Sequence, residues 1–179
     1  FGMTIQDTAG DGVIAFNSLP LVCDRMRFTK CRKGMYVKNT TGRLINCVIT
    51  QCEHSGIVVS KNGMVSLEGP LTKVDGNVTG EDPFYYGLVT HFPSSTIHLL
   101  SPLTIEWVST NNCDGRNYGG FGEIAIVNND GNNIEIIQEV EEVEEVEEVE
   151  EVEEEHLGNS DDDLECSDDD LERDRKSVV

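Results

Sequence analysis

The sequence predicts an all-β solenoid: a parallel β-helix of about five coils over residues 1–138, with an acidic tail over 139–179 expected to be disordered. Three observations predict it. Three glycines recur 22 residues apart, each opening a short apolar run: Gly12-Val13-Ile14-Ala15, Gly34-Met35-Tyr36-Val37 and Gly56-Ile57-Val58-Val59. A second strand precedes each glycine, carrying Ile5, Phe28 and Ile49, with Leu67 as a fourth echo, and Thr29-x-Cys31 recurs as Thr50-x-Cys52. Finally, charge is divided unevenly: from Glu139 onward there are 21 acidic and 3 basic residues, against 13 and 10 before it. A repeat of this length cannot bury its apolar face alone. Stacked copies build one continuous core.

The body is therefore near neutral and can form an ordinary core. The acidic tail would be repelled by nucleic-acid backbone and by anionic membrane, so neither is expected as its partner. No apolar run approaches the roughly 20 residues that span a bilayer. The chain opens at Phe1 without an initiator methionine and reads as a fragment or processed product, which makes the lack of a signal segment uninformative about secretion. The six cysteines form no CxxC and no Cys/His set with zinc spacing, so neither a metal nor a cofactor is expected. Cys31 and Cys52 occupy equivalent repeat positions. They read as small buried residues stacked on neighbouring coils, with a disulfide as the other reading. Asn39-Thr40-Thr41 and Asn77-Val78-Thr79 match the N-glycosylation pattern.

Taken in order, the runs are short, β-branched and interrupted by glycine every few residues, which rules out helices. Alternation assigns Val13, Ala15, Met35, Val37, Ile57 and Val59 to the inner face, and Ile14, Tyr36 and Val58 to the outer one. Polar turns follow each run, as in Asn17-Ser18, Lys38–Gly42 and Ser60–Gly63. No coil has room for a crossover helix, which excludes the βαβ class. The unit Ile49-Thr50-Gln51-Cys52-Glu53-His54-Ser55-Gly56-Ile57-Val58-Val59 resembles the right-handed parallel β-helix repeats of the pectin-lyase-like superfamily, and the resemblance covers roughly residues 1–75. It implies a right-handed parallel β-helix. It also implies a function among polysaccharide lyases, glycoside hydrolases, carbohydrate-binding adhesins and phage tailspikes, and a secreted, cell-surface or virion location.

Beyond Leu67 the repeat loosens. Leu71, Val74 and Val78 suggest a fourth coil, and Tyr86–Val89, Thr96–Leu100 and Thr104–Val108 read as later strands. Residues 109–122 read as an Asn/Gly loop. Gly119-Gly120-Phe121-Gly122 lacks the Lys-Ser/Thr of a phosphate loop and the aspartate of a calcium repeat. Asp130-Gly131 between two alternating runs predicts a hairpin over 124–137 that closes the solenoid. In the tail, valines recur every three residues among glutamates. On a helix that spacing winds around the surface rather than forming a seam. The duplicated Ser160 and Ser167 segments resemble acidophilic-kinase sites, and Ser177-Val178-Val179 resembles a PDZ ligand.

Equivalent positions on adjacent coils lie about 4.8 Å apart. The repeat therefore gathers Asp11, Arg32, Lys33, Glu53 and His54 at one turn, beside the outward Tyr36. Carboxylates accept from sugar hydroxyls, Lys and Arg pair with anionic groups, and Tyr36 offers a stacking face. These six residues are the candidate carbohydrate or uronate patch; a turn of weakly paired surface charges is the plain structural reading. Asp11 and Glu53, two coils apart at about 9.6 Å, sit at the edge of the inverting-glycosidase range. The chain lacks the paired-Asp, Asn-Thr-Asp and Gly-His-Gly signatures of polygalacturonase-like members, and no residue takes a catalytic label. The expectation is a β-helix module that presents a surface to polysaccharide, or to protein through an Ile14–Tyr36–Val58 face. The alternatives are a lyase or hydrolase of the same superfamily and a purely structural surface or virion module.

Overall fold

A computed structural model describes residues 2–80 and 84–138. Five coils follow one another along the chain. The first holds β1 (Met3–Gln6), β2 (Val13–Phe16) and β3 (Leu21–Asp24), and the second β4 (Met26–Thr29), β5 (Met35–Lys38) and β6 (Thr41–Ile45). The third holds β7 (Val48–Thr50), β8 (Ile57–Ser60) and β9 (Met64–Glu68), and the fourth β10 (Lys73–Asp75), β11 (Leu88–Thr90) and β12 (Thr96–Leu100). A single helical turn, α1 (Ile105–Val108), leads into the fifth, with β13 (Ser109–Thr110), β14 (Tyr118–Gly120) and β15 (Glu123–Val127); β16 (Asn133–Gln138) follows. Like strands stack in parallel into three sheets, here called A (β1-β4-β7-β10-β13), B (β2-β5-β8-β11-β14) and C (β3-β6-β9-β12-β15), with β16 antiparallel on β15. The fold is a parallel β-solenoid of about five turns.

Alternation is as expected after Gly12 and Gly34, while after Gly56 all four residues of β8 are buried. Met35, Val37, Ile57 and Val59 are fully buried, and Ala15 nearly so. On sheet A, Ile5, Phe28, Ile49 and Val74 are register partners, and the last three have no exposed surface. Each such side chain contributes roughly 1.5–3 kcal/mol by leaving water. The fourth member is thus Val74. Leu67 instead pairs with Leu44 and Leu99 on sheet C, so its likeness to Ile5 is apolarity without shared register.

The repeat glycines have a steric cause. A Cβ on Gly34 would run into the Ile49 side chain and lie 2.6 Å from the Gly56 carbonyl. On Gly56 it would meet Val74 and lie 2.8 Å from the Gly87 carbonyl. Here sheet B starts so close to the sheet A interior that only hydrogen fits.

The turn leaving sheet A carries a second repeat. Asp7, Lys30, Gln51, Gly76 and Asn111 all adopt positive φ, between 53° and 63°. One residue further on, the inward column runs Thr8, Cys31, Cys52, Asn77, Asn112. The cysteines are free and buried, and each thiol donates to the carbonyl two residues back (Cys31 Sγ to Thr29 O at 3.6 Å, Cys52 Sγ to Thr50 O at 3.9 Å), so they stack without a disulfide. Burial pushes the Cys52 thiol up to about 12. Asn77 and Asn112 continue the column with stronger bonds. Asn77 Nδ2 donates to Ile49 O at 3.1 Å while its Oδ1 accepts from the Cys52 amide at 3.1 Å. Asn112 repeats the pattern with Val74 O and the Asn77 amide. Asn77 is therefore no glycan acceptor in the folded chain; Asn39, in an exposed turn, keeps that geometry open.

Two expectations change at the fifth coil. Thr104–Val108 forms a helical turn, not a strand. Thr104 caps it through its hydroxyl to the Trp107 amide at 3.3 Å, and Ile105 and Val108, three apart, are the buried pair. The 109–122 loop contains β13, a turn at Cys113–Gly115 and β14, which extend sheets A and B. The hairpin expected over 124–137 is present as β15 and β16. Readings that fall on 139–179, including the disordered tail, its kinase-like serines and its carboxy-terminal motif, lie outside the described residues.

Candidate functional site

Sheet B presents two outward columns. One runs Ile14, Tyr36, Val58, Val89 and Gly119; the other, two residues on, begins Phe16, Lys38 and Ser60. Over the first two coils these side chains are open to solvent: Ile14 is 49% exposed and Phe16 53%. Over the third and fourth they are not, and Val58 is only 1% exposed. The continuous Ile14–Tyr36–Val58 face expected from the repeat therefore stops after Tyr36. Its end coincides with the return of the chain at Tyr85 and Tyr86. The Tyr85 ring stacks on His54 at 4.1 Å and 16°, and the Tyr86 amide donates to Ser55 Oγ at 3.3 Å.

The open part forms a groove of about 530 Å³, lined by Asp11, Ile14, Phe16, Asn17, Arg32, Lys33, Tyr36 and Lys38. Register brings the turn residues together as the repeat implies: the Arg32 amide donates to Gly10 O, and the His54 amide to Arg32 O. Their side chains then divide. The Asp11 carboxylate is 3% exposed and accepts from Arg32 Nε at 3.0 Å. That bond and then the Asp11 charge raise the Arg32 pKa further, so the guanidinium stays charged and is held against the Asp11 carboxylate. Lys33 Nζ lies 5.0 Å from the Tyr36 ring centroid, an attraction worth about 0.5–1 kcal/mol at an exposed site. Among the described residues neither Lys33 nor Lys38 makes an ion pair. Lys33 also bears on His91, whose pKa is lowered first by desolvation and then by the lysine charge.

Glu53 faces elsewhere, into a smaller hollow of about 270 Å³ with Thr8, Lys30, Arg32, Gln51 and Thr79. His54 is occupied by its stack on Tyr85. Of the six candidates, Asp11, Arg32, Lys33 and Tyr36 thus share one groove, while Glu53 and His54 flank it. The sequence reading missed Phe16, Lys38 and Asn17. The signal was present, since Phe16 and Lys38 stand two residues beyond Ile14 and Tyr36 and keep the same outward parity. It also missed Trp107, half exposed, with Lys73 Nζ 3.7 Å from its ring centroid and its Nε1 donating to Pro70 O at 3.2 Å. Among the described residues no three His, Cys, Asp or Glu side chains gather as metal ligands, and no helix is long and apolar enough to cross a membrane.

Comparison of the chain with protein-family models, with curated proteins and with solved structures found no match.

Proposed function

We propose that the chain is a carbohydrate-binding β-solenoid module, whose ligand is a polysaccharide carrying anionic groups, held along the open part of sheet B. One observation carries this reading. The groove pairs apolar and aromatic surface (Ile14, Phe16, Tyr36) with two lysines that make no ion pair among the described residues, while the Asp11 carboxylate is already engaged. A sugar ring lays its apolar face on Tyr36 and Phe16. Its carboxylate or sulfate meets Lys33 and Lys38, and Asn17 supplies hydroxyl contacts. The resemblance of the coil repeat to the pectin-lyase-like superfamily agrees with a polysaccharide ligand.

Binding without catalysis fits the same geometry. A glycosidase needs two carboxylates facing one cleft, one of them able to give up a proton. Here Asp11 is spent on Arg32, and Glu53 lines a different hollow. The test is a glycan-array screen of the full chain beside Tyr36→Ala and Lys33→Ala. Retention of acidic polysaccharides, weakened about tenfold or more by each variant, supports the reading. Absence of glycan binding by the folded wild-type chain overturns it in favour of a structural module.

A further inference from the structure

The groove on sheet B is long in one direction only. Its lining residues fall within 11–17 on the first coil and 32–38 on the second. Both stretches follow the strands, and register sets them side by side, Ile14 with Tyr36 and Phe16 with Lys38. Neighbouring strands stand about 4.8 Å apart, whereas the backbone from Lys33 to Lys38 can reach about 18 Å. Toward the third coil the face is shut, with Val58 1% and Ser60 3% exposed. An extended ligand in this groove therefore lies parallel to β5, across the solenoid axis and not along it.

The charges follow the same line. Lys33 stands just before β5 and Lys38 ends it, with Tyr36 between them on the outward face. Lys33 Nζ is 5.0 Å from the Tyr36 ring centroid, and Lys38 is the register partner of Phe16. Among the described residues Asp11 is the only carboxylate in this lining, and Arg32 Nε holds it at 3.0 Å. Nothing anionic between the lysines draws them together, and like charges repel. The two ammoniums keep to the two ends of the groove, and a ligand with a single anionic group meets one of them.

Resting on the carbohydrate reading above, we propose that the groove selects its ligand by the spacing of charge along a sugar chain. The ligand is a linear anionic polysaccharide lying parallel to β5. Anionic groups on two non-adjacent sugars meet Lys33 and Lys38, and an intervening ring lies on Tyr36. Lys38 is the specificity-determining residue, since it turns contact with one charged sugar into preference for a charged chain. Once the first charge is held, the second contact forms within the same complex, so affinity gains from the link between them.

The test is titration calorimetry of the full chain with two ladders, oligogalacturonates and sulfated heparin oligosaccharides, each from disaccharide to octasaccharide. Lys33→Ala, Lys38→Ala and Lys61→Ala are measured beside the wild type. Lys61 follows Ser60, the third-coil register partner of Lys38, where a chain running along the axis would pass. The expected result is affinity that rises about tenfold with length on at least one ladder, the responding ladder telling uronate from sulfate. Lys33→Ala and Lys38→Ala should each abolish that rise and Lys61→Ala should leave it, with circular dichroism unchanged in all three. Affinity independent of length, a rise that survives Lys38→Ala, or one lost in Lys61→Ala overturns this inference and leaves the carbohydrate reading standing. Absence of binding to both ladders by the folded chain removes the two together.

Discussion

Coils one to three and coils four and five solve the same packing problem differently. In the first three, the glycine spacing is strict, the column behind sheet A is Thr8, Cys31, Cys52, and sheet B is open at Ile14 and Tyr36 but already closed at Val58. In the last two, the loop before β11 lengthens, the column becomes Asn77 and Asn112, and outward Val89 is buried. The backbone turn is the same in both, since every coil keeps one residue at positive φ before the column. The turn conformation defines the coil, and the residue behind it can be a small thiol or a hydrogen-bonding amide.

The largest effect should come from the strict region. Gly34→Ala forces a Cβ against Ile49 and the Gly56 carbonyl and should cost about 3 kcal/mol or more, whereas Gly10→Ala, with open space around its Cβ, should stay within about 0.5 kcal/mol. Denaturant titration of both variants checks this. Equal losses would break the claim that close approach, not turn flexibility, sets the repeat glycines. The two halves of the column separate next. Asn77→Ala strands the Cys52 amide and takes one donor from the Ile49 carbonyl, and should cost about 2–3 kcal/mol, while Cys52→Ala, losing a weak thiol bond and a small volume, should cost about 1–2 kcal/mol. Thermal unfolding of the pair would reverse the comparison if the cysteine proved the costlier.

Smaller still is Asp11→Asn. Its partner Arg32 is half exposed, so the loss should be near 1 kcal/mol, and a double cycle with Arg32→Gln measures the coupling. The least effect belongs to His91. Its folded pKa lies below the usual 6.5, so the unfolded chain binds the proton more readily, and stability should fall as the pH drops through about 6.5. His91→Gln should flatten that slope, whereas Lys33→Ala alone should remove only the smaller, electrostatic part.

The sequence made the strict half legible. Alternation after Gly12, Gly34 and Gly56 assigns the inner face, and Thr-x-Cys marks the column. The column's later members were hidden because asparagine does not look like cysteine; only the shared register exposes them. Leu67 was misplaced because an apolar residue at roughly the right spacing cannot declare its sheet. Ile105-Glu106-Trp107-Val108 alternates like a strand, yet Thr104 caps it into a turn of helix. At the groove, pairing of Asp11 with Arg32 followed from the repeat, since coil neighbours are fixed by register. The stacking of Tyr85 on His54 did not, because Tyr85 arrives from a distant loop. Local pattern reaches contacts made by the repeat and fails at those made across it.

The positive-φ turn also makes each coil a unit of length. Arg27 is the register partner of Val48, so residues 27–47 begin and end at equivalent points of the path. A tandem copy inserted there would rejoin the chain in phase and move everything downstream by one strand spacing, about 4.8 Å. The groove would gain another Lys33–Tyr36–Lys38 set at that interval. Solenoids of this kind can therefore be lengthened in fixed steps, like links in a chain gauge, and matched to polymers whose charges recur at a set pitch.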